Sequence, residues 1–237
     1  MQEVKPENSI MVAGIRSAFT PQRISALIVA QAAVDATYTH SPTPKRNQLV
    51  NAMMELGEYA GHRGYETYKP VKTNKLQAAI ELADTMAFIL SAVAETPAEK
   101  IDDVITTLSA VCEQEYRDLE SVVEDDDFNT EESNVILLAV HGLAENLGTV
   151  FSALFHLANL YCGVSPEKLI RLYEAKTILN NFRTVNGYSQ GTYVKQWGSQ
   201  EDNVVMAELI VANVEMEDLE GRLADLYNLV PKGKLNA

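Results

Sequence analysis

An all-α helical bundle is the fold class this sequence predicts, on three observations: helix punctuation recurs along the chain, apolar residues return at helical spacing, and strand signals are nearly absent. Thr20-Pro21 reads as an N-cap followed by proline at the first helical position, opening a helix to about Tyr38. His40-Ser-Pro-Thr-Pro44 breaks it. A second helix is expected from about Lys45 to His62, ending near Gly61 and Gly64, and a third from about Thr73 to Ala94. Thr96-Pro-Ala-Glu99 has the form of a capping box and starts a fourth helix running to about Val123. The acidic run Glu124–Asp127 reads as a solvated turn that favours the next helix N-terminus. The pattern from Glu131 to about Tyr161 stays helical and contains His141 and His156, neither with a partner at metal spacing. Ser165-Pro-Glu167 caps a helix to about Asn186, a glycine-rich polar stretch reaches Ser199, and a last amphipathic helix occupies about Glu201 to Leu229. No internal repeat or low-complexity segment interrupts this, so residues 1–237 are expected to form a single all-α domain.

Composition narrows the partners. The formal net charge is −14, from 33 acidic and 19 basic residues, which argues against duplex DNA or an anionic membrane as the main partner, because both reward clustered Lys and Arg. An acidic protein that handles an anionic substrate needs metal ions and a few well-placed cations. Cys112 and Cys162 sit in apolar helical contexts with no C-x-x-C spacing, so each is expected to be a buried reduced thiol. Residues Met1 to Phe19 lack a continuous apolar core, and no later apolar run is read as long enough to span a membrane. The reduced thiols point to a cytoplasmic location.

Two acidic pairs carry the strongest functional signal. Glu55-Leu-Gly-Glu58 and Glu81-Leu-Ala-Asp84 each place both carboxylates on one face of a helix. If those helices pack side by side, their carboxylates converge on one volume, where like charges repel unless a divalent cation fills the gap. Oxygen-only ligation suggests Mg²⁺ or Mn²⁺ rather than zinc. The competing reading is of solvated helix faces in an acidic protein.

A second constellation lies in Tyr173-Glu-Ala-Lys-Thr-Ile-Leu-Asn-Asn-Phe-Arg183. Lys176, Asn180 and Arg183 recur at helical steps, so one face offers an ammonium, an amide and a guanidinium, donors suited to phosphate oxygens. The glycine-flanked segment beyond adds Tyr188 and Lys195 on a loop that could close over a ligand. Pairing of this face with neighbouring carboxylates is the alternative.

Taken together, the order E-x-x-E, K, E-x-x-D, Y-x-x-K-x-x-x-N-x-x-R-x-x-x-G-Y, G-x-Y-x-K-x-W and E-D-N resembles the dimeric all-α dUTPases and the related phage dCTPases of the MazG-type nucleotide pyrophosphatase superfamily. The resemblance runs from about Leu27 to Asn203 and is most specific in the last motifs and in Glu55 to Lys69, which is similar to the family's E-x-x-E-x-x-x-H-x-G-[YW]-x-W-[YW]-K pattern. It implies a helical bundle of the all-α nucleotide pyrophosphatase type, working as a homodimer. It implies Mg²⁺ at Glu55, Glu58, Glu81 and Asp84, with hydrolysis of a deoxynucleoside triphosphate to monophosphate and pyrophosphate. Glu58 is the candidate for orienting the attacking water, beside Glu55. Lys69, Lys176, Asn180, Arg183, Tyr188 and Lys195 match phosphate-facing positions.

The base-facing helix departs from the family. Where its relatives carry L-Q-x-x-L-N, this chain has Ala30-Gln31-Ala-Ala-Val34-Asp35: Gln31 is retained and the asparagine has become Asp35. An ionised carboxylate only accepts, so Asp35 can take the uracil N3 proton or a cytosine amino proton and cannot donate to O4. That shifts weight toward cytosine. The family's tryptophan beyond this helix is missing, with Tyr38 and His40 in the region. The expected activity is Mg²⁺-dependent hydrolysis of dUTP, with a dCTP-preferring pyrophosphatase as the alternative. A non-enzymatic helical interaction protein is the rival from another class. A di-iron bundle would need Glu-x-x-His pairs, and Glu58 and His62 are four residues apart.

Overall fold

The computed structural model describes residues 14–36, 45–66, 68, 73–123 and 132–230. Tyr38, His40, Lys69 and the acidic run 124–127 lie outside them. The described residues form α1 (14–18), α2 (Pro21–Asp35), α3 (Lys45–His62), α4 (Lys75–Ala94), α5 (Ile101–Val123), α6 (Glu132–Glu145), α7 (Leu147–His156), α8 (Pro166–Val185), α9 (Asp202–Val211) and α10 (Met216–Asn228). A two-stranded antiparallel hairpin, β1 (Gln196–Trp197) with β2 (Gln200–Glu201), separates α8 from α9. The fold is all-α.

Local chemistry explains the helix starts. Thr20 accepts from the Arg23 N–H at 3.2 Å, with Pro21 at the first helical position where its missing N–H costs nothing. Asn74 caps α4 by accepting from the Leu76 and Gln77 N–H groups, and its own N–H donates to the His62 carbonyl at 2.9 Å. One residue thus closes the end of α3 onto the beginning of α4. The capping box expected at Thr96–Glu99 is replaced by a 3-10 turn, Ala98–Lys100, entered at Pro97 without a side-chain capping bond. The long helix expected over 131–161 is broken: Asn146 turns to φ −155°, ψ 108° and its side chain accepts from the Gly148 N–H. Glycine is needed at 148, where a Cβ would come within 2.7 Å of the Val111 side chain. The last expected helix is also two, because Asn213 adopts φ 60° and ends α9.

The chain divides into two compact units, residues 1–170 and 171–237. In the first unit α4 packs against α2, α3 and α7, while α7 also packs against α5 and α6. Ile80, Leu82, Met86, Ile89, Leu90 and Val93 of α4 are at most 1% exposed, so the helix is buried over most of its girth by neighbours on several sides while Glu81 and Asp84 keep one acidic face. Among the described residues α4 passes as a membrane span by length and composition, which corrects the expectation that no apolar run was long enough; 72% of its apolar window is buried within the fold. Phe19 packs on Phe151 and Phe155, with ring centroids 4.6 and 5.3 Å away. Cys112 is fully buried on α5, and burial raises its thiol pKa. Cys162 is partly buried, its thiol pushed up to about 11 chiefly by burial.

His141 lies on the exposed side of α6, whereas His156 is fully buried with its ring 4.2 Å from that of Tyr116. Neither ring nitrogen of His156 has a hydrogen-bond partner among the described residues, and burial lowers its pKa to about 4. The unfolded chain therefore binds a proton between about pH 6.5 and 4 that the folded chain refuses. The stability conferred by a neutral His156 is fully present above that window. It is expected to fall away on acidification, by about 3 kcal/mol in total. His156→Phe keeps the ring contact and should flatten this part of the pH profile in urea unfolding; an unchanged slope would show that His156 does not stay neutral in the fold.

In the second unit, α8 from Arg171 onward is followed by a tightly turned loop, the hairpin, α9 and α10. Gly187 has φ 93°, and a Cβ there would stand 2.0 Å from Thr192 Oγ1, so both backbone and space require glycine. Phe182, Tyr193, Trp197 and Tyr227 form the aromatic core, Tyr193 stacking on Tyr227 at 5.0 Å.

Candidate active site

Two helices of the first unit bring acidic side chains together. Glu55 of α3 and Glu81 and Asp84 of α4 each offer one carboxylate oxygen, and these oxygens lie within 4.8 Å of one another. The cause is local: three-residue spacing puts Glu81 and Asp84 on one face of α4, and α3 packs along that face. Glu55 and Asp84 are partly buried, and the Glu81 side chain is 12% exposed. Glu58, one turn along α3, is exposed and is not among the three. His62 adds what sequence reading did not use, its Nε2 standing 3.4 Å from Glu81 Oε1.

The donor set suits a hard divalent cation. Octahedral Mg²⁺ takes oxygens at about 2.0–2.1 Å, which places those oxygens roughly 3–4 Å apart. Separations within 4.8 Å need only a small rotation of each carboxylate to close on that geometry. With no thiolate or imidazole among the three, zinc is the poorer match.

Beside the acidic residues on α3 lies a buried polar cluster. Glu132, the first residue of α6, accepts from Tyr59 Oη at 2.5 Å, from Arg63 Nε at 2.5 Å and from Arg63 Nη2 at 3.0 Å. Tyr59 is fully buried; burial, then the Glu132 bond, raise its phenol pKa and keep it a neutral donor. Arg63 is held charged, first by its bond to Glu132.

The phosphate-directed residues belong to the second unit. Lys176 and Arg183 are buried on α8 and Asn180 is partly so. The Arg183 fork closes on Asp202, Nε to Oδ2 at 2.8 Å and Nη2 to Oδ1 at 2.7 Å. Its Nη1 donates to Asn180 Oδ1 at 3.1 Å, and Nη2 also donates to Asn203 Oδ1 at 2.6 Å. Asp202, fully buried, accepts in addition from Tyr193 Oη at 2.8 Å. Burial opposes the charge on Arg183, but the bonds to Asp202 outweigh it and the pKa is raised. Tyr188 is half-exposed, with Lys195 Nζ 5.4 Å and Arg183 Cζ 5.9 Å from its ring centroid. Lys195 itself is exposed.

On α2, Gln31 is buried and its Nε2 donates to Asp35 Oδ1 at 2.8 Å, so the two residues expected to meet a base are bonded to each other. Sequence reading gave no role to Tyr59, Arg63, Glu132 or Asp202. Arg63 and Tyr59 stand four apart on one helix row, a usable signal; nothing in the sequence marks Glu132, which is far from them in the chain.

An all-helical frame thus brings three carboxylates within 4.8 Å of one another, a donor set that could hold a hard cation. A protein family described as dUTPase matches residues 23–188, taking in both acidic pairs, Gln31, Asp35 and the α8 face as far as Tyr188. With that match covering more than half of its length, the chain belongs to the dUTPase family, hydrolases of a nucleoside triphosphate. Lys195 and Asp202 lie beyond the matched residues. No curated protein matches the chain.

Proposed function

We propose that the chain is a Mg²⁺-dependent pyrophosphatase that converts dUTP to dUMP and pyrophosphate, with dCTP as a second substrate. The observation that carries this is the convergence of Glu55, Glu81 and Asp84 inside the region matched by the dUTPase family. Those three residues would hold the ion, with Glu58 at the rim. When bound, Mg²⁺ supplies Lewis-acid neutralisation of the triphosphate oxygens. Glu58, reachable from solvent, accepts the proton of the attacking water. Lys69, Lys176, Asn180, Tyr188 and Lys195 match the family's phosphate-facing positions, and the cations among them would stabilise charge on the departing pyrophosphate. Arg183 serves this group by anchoring Asp202 and the loop that carries Lys195.

Base choice rests on Gln31 and Asp35. With one Gln31 N–H given to Asp35, the pair offers a base mainly acceptor groups, which fits the cytosine amino group and the uracil N3–H. Asp35→Asn restores a donor while keeping an oxygen for Gln31. It should raise the ratio of dUTP to dCTP kcat/KM about tenfold, the scale of one discriminating hydrogen bond. Deoxynucleoside triphosphates incubated with Mg²⁺, with monophosphate and pyrophosphate both quantified, test the activity. If neither dUTP nor dCTP yields the two products in equal amounts, the reading fails; an unchanged ratio in Asp35→Asn removes only the base assignment.

The homodimer that the resemblance implies has a suitable face. Val50, Met53 and Met54 are 45, 47 and 59% exposed on the side of α3 away from Glu55. Sedimentation as a monomer at micromolar concentration would remove this part of the proposal.

A further inference from the structure

We propose that Glu132 is a positioning residue for the acidic site: by gripping Tyr59 and Arg63 from α6, it sets the rotation of α3 at which Glu55 and His62 meet Glu81 of α4. This rests on the metal-site reading above and adds a residue to it. On a helix that advances about 100° per residue, His62 lies within about 20° of Glu55, and Tyr59 about 40° to one side. Arg63 continues that side row in the turn that ends the helix. Glu55, Tyr59 and Arg63 stand four apart along one ridge of α3, so the groups gripped by α6 lie only about 40–80° round the helix from Glu55, and holding them fixes the direction in which Glu55 points. At a side-chain radius of about 5–6 Å, a rotation of about 10° moves a carboxylate by about 1 Å. Metal ligands have to be placed within about 0.5 Å, so a small slip of α3 is enough to spoil the site.

The grip is suited to this work. All three bonds end on one carboxylate, two of them from the Arg63 guanidinium, and charge-assisted bonds are short and directional. The Glu132 and Arg63 side chains are only 9 and 13% exposed, so water competes little for them. The surface pair Arg16–Glu113, at 58 and 28% exposure, is screened by comparison. Asn74 ties the end of α3 to α4 through the His62 carbonyl, and Glu132 ties the same end of α3 to α6.

The test compares Mn²⁺ binding, followed by its EPR signal, in the parent, in Glu132→Gln and in Leu108→Ala. Leu108 is a buried α5 residue outside the proposed site, and its truncation controls for lost stability. Glu132→Gln is expected to bind Mn²⁺ about tenfold more weakly or worse, the usual scale for losing an outer support of a metal ligand. Leu108→Ala should bind Mn²⁺ like the parent despite a lower Tm. Parent-like Mn²⁺ affinity in Glu132→Gln, or equal weakening in Leu108→Ala, overturns the inference while the site reading stands. A parent that binds no Mn²⁺ overturns both. If Glu132→Gln does not fold, Tyr59→Phe removes one of the gripped groups and carries the same comparison: weaker Mn²⁺ binding supports the inference, and parent affinity overturns it.

Discussion

In Glu81→Gln, dUTP hydrolysis is expected to fall by about three orders of magnitude, the consequence of losing several kcal/mol of metal-assisted transition-state stabilisation. Glu81 is the carboxylate most enclosed by its surroundings: it shares the 4.8 Å cluster with Glu55 and Asp84 and meets His62. An amide keeps the shape but lacks the charge that a hard cation requires. Thermal unfolding separates this from damage to the fold. Without metal the variant should be as stable as the parent or slightly more so, because one of three crowded like charges is gone. Added Mg²⁺ should raise the Tm of the parent by mass action and leave that of Glu81→Gln unmoved. Turnover of the variant close to that of the parent at saturating Mg²⁺ would remove Glu81 from the site.

Arg183→Ala is expected to cost about 3–5 kcal/mol of stability, because it leaves the fully buried Asp202 with its charge uncompensated. For a chain of this size that corresponds to a Tm lower by about 10 °C. Arg183→Lys should lie closer to the alanine variant than to the parent, since an ammonium cannot reproduce two parallel bonds to Asp202 while also reaching Asn180 and Asn203. The loop bearing Tyr188 and Lys195 loses its anchor in either variant, so KM for the nucleotide should rise with the loss of stability. Calorimetry on both variants decides the point: a lysine variant as stable as the parent would mean that charge alone, rather than the fork, matters at position 183.

Fold class and most helix bounds follow from short-range chemistry. Thr20-Pro21 and Ser165-Pro166 start helices as their side chains dictate, with Ser165 Oγ accepting from the Lys168 N–H at 3.3 Å. The breaks at Asn146 and Asn213 were misread because the apolar period continues on both sides of each; an asparagine that leaves the helix is distinguished from one that stays only by its neighbours, here Val111 against Gly148 and Arg171 donating to the Val214 carbonyl at 2.7 Å.

What the sequence by itself determined was the all-α class, the two acidic pairs with their spacing, and the order of motifs that marks the dUTPase family, since helical periodicity and same-face placement need only i and i+3 or i+4 neighbours. What tertiary structure alone decided was partnership across the chain. Glu55 joins Glu81 and Asp84 while Glu58 stays exposed, Glu132 rather than another of the many acidic residues holds Arg63, and the Arg183 fork closes on Asp202. Each depends on how a helix is rotated against its neighbours. That rotation is set by the sum of side-chain packing over whole helix faces, so no local motif encodes it.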